Sequence, residues 1–277
     1  MIFLPLPAVA AAPPPAQPLL SPPTFRHYVE EFNRDDNELY RQAVPNSDAW
    51  DWMQRNVPFF ECPDKELELT YYFRWWTYRK HLRRTPVGFV VTEFLPNVPW
   101  AGKFNTISCA LGHHFYEGRW IADPQYLDDY ARFWFRKDGG EPRRYSCWIA
   151  DALLARDRVH PNPGLLVELL PDLVANFEAW EKERRDPNGL FWQIDDRDGM
   201  EVSVGGSGYR ATLNSYMFGD ATAIAVMARR AGRIELGERF DREAAQIKRL
   251  VQEKLWDNQA GFFKVLPRGT NATLVNV

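Results

Sequence analysis

A chain of 277 residues with 45% apolar residues is long enough for one large domain, or two small ones, with a substantial core. Its net charge of −3 gives no basic footprint, so a nucleic-acid partner is not expected. Cys62, Cys109 and Cys147 match no zinc or redox spacing, and small buried side chains are expected there.

Residues 1–23, MIFLPLPAVAAAPPPAQPLLSPP, open apolar, and Ala8-Val9-Ala10 resembles an A-x-A cleavage site. No Lys or Arg precedes Arg26, and prolines break the apolar run, so residues 1–24 read as a degraded signal or a Pro/Ala-rich arm. Periplasmic, secreted and cytoplasmic locations all stay open, and the run is too short for a membrane span. Phe25, Tyr28, Val29 and Phe32 give a short helical period, and Ser47-Asp48 can cap a brief helix through Trp52 and Met53. Asp64 can cap a long helix whose apolar face is Leu67, Tyr71, Trp75, Tyr78 and Leu82, with Pro86 as its stop.

The segment Val87 to Thr92 is β-like. With Pro96 and Pro99, Glu93 to Lys103 cannot be helical and forms a rigid loop presenting Glu93, Trp100 and Lys103. A helix is expected from Phe104 to Glu117. Its neighbours His113 and His114 point about 100° apart, so one packs inside while the other faces a cleft or solvent. Further helices are expected from Asp123-Pro124, from Glu141-Pro142, and from Asn162-Pro163 to about Arg184, the last burying Leu165, Leu169, Leu173, Phe177 and Trp180. Two more run from about Ala211 to Arg230 and from about Leu236 to Trp256.

Between these helical patterns lies Trp192-Gln193-Ile194-Asp195-Asp196-Arg197-Asp198-Gly199-Met200-Glu201, leading into Gly205-Gly206-Ser207-Gly208. Acids this dense in a helix-to-helix loop bind a cation, face solvent or handle protons in a pocket. Asp195, Asp196 and Asp198 lack EF-hand spacing, and no metal or cofactor is expected. The 11 Trp and 11 Tyr are a surplus that suits either a Trp-rich helical core or stacking on the apolar face of a sugar. About seven long helices joined by turns and long loops make an all-α layout of antiparallel hairpins.

Several stretches together resemble six-hairpin glycosidases: Pro58-Phe59-Phe60-Glu61-Cys62-Pro63-Asp64, Tyr71-Tyr72-Phe73-Arg74-Trp75-Trp76, Thr92-Glu93-Phe94, Pro99-Trp100-Ala101-Gly102 and Asp198-Gly199-Met200-Glu201. The likeness is to the mannosylglycerate-hydrolase-like domain, related to trehalases and to glycoside hydrolase family 63, over roughly residues 50–266. It implies an all-α (α/α)6 toroid with a funnel for a carbohydrate substrate at one end. It also implies an inverting mechanism, in which one carboxylic acid protonates the leaving oxygen and a second carboxylate activates water. The acid of the relatives maps to Glu201, with Asp198 in reserve. Asp stands here for the motif's Ser, and Glu for its Asp, which sets the backbone about one methylene further back.

The candidate substrate-binding residues are Glu93, Trp100, Lys103, His114, Tyr145, Trp192, Asn214 and Tyr216. Trp100, Tyr145, Trp192 and Tyr216 are expected to approach one another at the loop end of the ring. Burial beside Trp192 and repulsion from Asp195, Asp196 and Asp198 are expected to raise the Glu201 carboxyl. In the relatives the second carboxylate lies in the last hairpins. Residues 25–277 therefore read as the N-terminal part of the catalytic domain, without its base, with self-association through an exposed incomplete ring. Two other classes compete: a non-catalytic carbohydrate-binding remnant of the fold, and a sugar epimerase-type toroid relying on His113-His114.

Overall fold

The computed structural model describes residues 19–136, 138–198, 202–269 and 273–276. Within them the chain is a layered array of helices with short β-ribbons at the loop ends. A turn at Pro22–Phe25 leads into α1 (Arg26–Arg34), then α2 (Ala49–Asn56) and α3 (Lys65–His81). α1 and α2 both pack on α3. Asp64 caps α3 as its sequence predicts, its carboxylate accepting from the N–H groups of Glu66 and Leu67.

Glu68, buried in the first turn of α3, ties this layer together. It accepts from Tyr28 Oη at 2.7 Å, from the Cys62 N–H at 2.8 Å and from Lys65 Nζ at 3.0 Å. Burial pushes its carboxyl up, but the Cys62 amide, the Tyr28 hydroxyl and Lys65 outweigh it and hold the group below its usual range. Glu68→Gln is therefore expected to cost about 1–3 kcal/mol in urea unfolding at neutral pH. The sign follows from the lowered value. The contribution is complete above the unfolded carboxyl pKa and is lost as pH falls through the lower folded one, so wild type and variant should converge in strong acid. An equal gap at pH 7 and pH 2.5 would contradict this.

Past His81 the backbone turns extended. β1 (Leu82–Thr85) pairs antiparallel with β2 (Gly88–Val91), Leu82 opposite Val91 and Thr85 opposite Gly88. The helix thus ends before Pro86, which sits in the hairpin turn. Gly88 has a φ of 109°, and a Cβ there would lie 2.6 Å from Asp129 Cγ, so the site admits only glycine without rearrangement. The Asp129 carboxylate accepts from the Phe89 N–H at 3.1 Å and docks β2 on α5 (Gln125–Phe133).

The helix expected from Phe104 starts late, as α4 (Leu111–Gly118). Phe104 and Asn105 have φ values of 56° and 65°, which no right-handed helix passes through. Likewise α6 covers only Ile149–Asp157. The segment before it is committed elsewhere: the Tyr145 N–H donates to Ser108 Oγ, and the Ser146 N–H to the Arg197 carbonyl. α7 (Pro163–Arg184) is capped by Asn162 and buries Leu165, Leu169, Leu173, Phe177 and Trp180, the predicted stripe. β3 (Trp192–Gln193), β4 (Gly208–Tyr209) and a late segment, Leu266–Pro267, make a three-stranded ribbon.

The last two helices are α8 (Ala211–Arg230) and α9 (Ile234–Lys254). They pack along their lengths because small residues face the contact: a Cβ at Gly237 would come within 3.2 Å of the Ala225 carbonyl. α4, α6 and α8 stand side by side in that order, while α7 packs against both α6 and α8. This is the inner-and-outer layering of an all-α toroid built from helical hairpins. No described helix is long and apolar enough to cross a membrane.

Candidate active site

The N-terminal ends of α4, α6 and α8 open on one pocket of about 700 Å³. His113 lines it from the first turn of α4, Ser146 from just before α6, and Arg210, Thr212 and Tyr216 from the start of α8. Glu93 lines it from the loop after β2, and Phe262 and Phe263 come from the short ribbon after α9.

An aromatic layer crosses the three helix ends. Gly112 makes it possible, since a Cβ there would strike the Trp148 ring at 2.1 Å. Trp148 lies against α4, meets His113 edge-on at 4.8 Å and packs on Tyr216 at 4.5 Å between centroids. Burial and the charge of Asp198 push the Tyr216 phenol up to about 12, so it stays a hydrogen-bond donor throughout the neutral range.

Asp198 lies close to this layer with its side chain wholly covered. Its Oδ2 accepts from Thr212 Oγ1 at 2.8 Å and stands 3.9 Å from Arg210 Nη1. Its Oδ1 has no hydrogen-bond partner among the described residues. Arg210 is itself buried and also bonds Asp195, Ser203 Oγ and the Gly206 carbonyl. The Ser203 N–H and hydroxyl, with Arg210, hold the Asp195 carboxyl below its usual range. The acidic loop is therefore not a set of mutually repelling carboxylates, as its sequence suggests. Arg210 serves as its internal cation.

Of the expected site residues, Glu93 and Tyr216 line the pocket and Asp198 contacts its walls. Glu201, the expected proton donor, lies outside the described residues. The two histidines divide as expected, but the roles are reversed. His113 faces the pocket, while His114 bonds Tyr130 Oη through Nδ1 at 3.1 Å and is pushed by burial down to about 3. Asn214 is a clamp rather than a ligand group. It is fully buried, accepts from the Phe191 N–H, and donates to the Phe191 and Arg210 carbonyls.

The four aromatics expected to converge do not share ring contacts. Trp100 is half exposed and rests edge-on against Phe94 at 5.9 Å. Trp192 carries the guanidinium groups of Arg184 and Arg268 at 4.3 and 3.7 Å from its ring centre. Tyr145 carries Arg197 at 5.0 Å. Only Tyr216 reaches the pocket, where its partner is Trp148. Lys103 is exposed over the Phe104 ring. Trp148 and Arg210 were not foreseen as site residues, and His113 was raised only as one of a histidine pair. Nothing in the sequence around Trp148 signals that it meets Gly112 and Tyr216.

A family model, the mannosylglycerate hydrolase MGH1-like glycoside hydrolase domain, matches residues 103–277. A solved structure named "Sialidase" superposes with a TM-score of 0.87 at 41% identity, covering 90% of this chain and 24% of that one. The chain thus spans about a quarter of the length of that relative. With helices α4 to α9 inside the matched region, the chain belongs to the mannosylglycerate hydrolase MGH1-like glycoside hydrolase domain family.

Proposed function

We propose that the pocket at the ends of α4, α6 and α8 is the substrate funnel of an inverting glycoside hydrolase that removes a terminal sugar. The observation that carries this reading is the meeting of three helix N-termini on one pocket, with Glu93 in its wall and Asp198 bonded to its lining residue Thr212. Tyr216, Phe262 and Phe263 offer apolar surface for a pyranose face, and Thr212 and His113 offer hydrogen bonds to its hydroxyls.

In this reading a carboxylic acid at Glu201, or Asp198 in its place, protonates the glycosidic oxygen as its bond to the anomeric carbon breaks. Glu93, expected from the sequence only as a substrate-binding residue, is the carboxylate in the pocket wall, and in this reading it replaces a base from later hairpins and takes a proton from the water that attacks that carbon from the opposite face. The name "Sialidase" belongs to a chain of which this one covers 24%, so it does not assign a sugar to this region.

The test follows the anomeric proton by NMR during hydrolysis of a panel of glycosides. The first-formed product should carry inverted configuration, and retention would overturn the mechanism. Glu93→Gln should lower kcat by about 10²–10⁴-fold, the usual contribution of a general base. A variant that turns over at the wild-type rate would remove Glu93 from the reaction.

A further inference from the structure

A separate pocket of about 570 Å³ opens at the base of the β1–β2 hairpin. Arg41, Lys80, Arg83 and Arg84 line it, together with Gln42, and no carboxylate does. Its four cations stand out in a chain with a net charge of −3.

The cations are not equally spent. Lys80 is paired with Asp36 at 2.7 Å. Among the described residues Arg83 bonds only neutral oxygens, Asn97 Oδ1 at 3.0 Å and the Phe104 carbonyl at 3.3 Å. The Arg84 guanidinium lies 5.6 Å from the centre of the Phe89 ring. Neither Arg84 nor the exposed Arg41 has a carboxylate within ion-pair distance among the described residues.

One more donor is left over. Gln42 accepts from Arg79 at 3.1 Å through Oε1, but its buried Nε2 has no hydrogen-bond partner among the described residues. Burial pulls Arg83 below the usual guanidinium range with no carboxylate opposing it. Three guanidinium groups without a carboxylate partner and an unused buried amide around one cavity form an electropositive site that an anion would complete. Planar guanidinium forks match tetrahedral oxoanions, bonding them through paired N–H groups.

We propose that this pocket binds a phosphate or sulfate group, either as the free oxoanion or as an ester on a small sugar. Its volume accommodates a monosaccharide carrying such a group. The site is distinct from the pocket lined by Glu93 and does not depend on the hydrolase reading. Its lining continues into Thr92, Leu95 and Asn97, in the loop that carries Glu93.

The test titrates the 277-residue chain with sodium phosphate, sodium sulfate and glucose 6-phosphate, ionic strength being held constant with sodium chloride. Isothermal titration calorimetry and thermal unfolding are read in parallel. Saturable one-site binding is expected, weakened roughly tenfold or more in each of Arg41→Gln, Arg83→Gln and Arg84→Gln, as for loss of one charge-assisted contact. Arg41 and Arg84 are exposed, so their variants should fold whatever becomes of Arg83→Gln. Glu93→Gln should bind as wild type does. Tighter binding of glucose 6-phosphate than of phosphate identifies a sugar ester as the ligand, and equal binding identifies the free oxoanion. Absence of saturable binding, or binding unchanged in Arg41→Gln and Arg84→Gln, overturns the proposal.

Discussion

Glu201→Gln is expected to lower kcat on a glycoside with a poor leaving group by about 10²–10⁴-fold, the span of general-acid contributions. An aryl glycoside with an acidic phenol needs little protonation to depart, and its rate should fall no more than roughly tenfold. The pattern across leaving groups carries the information, since a folding defect would lower all rates together. Asp198→Asn provides the contrast. Asp198 keeps Oδ2 on Thr212 and near Arg210, which leaves Oδ1 for a further partner. A leaving-group dependence seen in Asp198→Asn and absent in Glu201→Gln would move the proton donor three positions up the chain. A uniform loss in Asp198→Asn would make it a positioning residue for the funnel wall.

Arg210→Met should be the most destabilising single substitution near the site. Arg210 is 2% exposed and holds Asp195 and Asp198 at once. Removing it strands a fully covered carboxylate and cuts the bonds to Ser203 and Gly206. Breaking one partner of such a buried set costs about 3–5 kcal/mol. For a domain of this size that lowers Tm by on the order of 10 °C. Adding Asp195→Asn and Asp198→Asn to Arg210→Met should restore part of the loss, because the penalty comes from orphaned charge. A triple variant no more stable than Arg210→Met would show that packing of the guanidinium, and not its charge, holds the loop.

Helices whose spacing and caps lie within their own sequence were legible. The Asp64 cap of α3, the Asn162 cap of α7 and the buried stripe from Leu165 to Trp180 all appear where the residues place them. The starts of α4 and α6 were not. The backbone before α6 is held by a partner far along the chain, Arg197 for Ser146, and that before α4 by the loop's own turn, in which Asn105 bonds Phe94 and Pro96. The family likeness pointed to the right fold, but composition could not separate platform aromatics from the rest. Trp192 is covered by arginines that follow it in space rather than in sequence, while Trp148 reaches the site only because Gly112 has no side chain. Asn214 looked like a ligand group because it is polar and near the loop. Its hydrogen bonds are spent on backbone instead.

The loop between β2 and α4 closes on itself. Asn105, left-handed at a φ of 65°, donates to the carbonyls of Phe94 and Pro96 and accepts from the Val98 N–H. A further bond runs from the Gly102 N–H to the Thr106 carbonyl at 2.9 Å. One side chain thus fixes both ends of the segment, while the side chains of Trp100 and Lys103 lie outward and make none of these bonds. Such a segment keeps its shape from within and is tied to the strand beside it through Arg83, which bonds Asn97 and the Phe104 carbonyl. Side-chain variation at Trp100 and Lys103 can then proceed with these bonds intact, an evolutionary latitude that residues of the packed helices do not have.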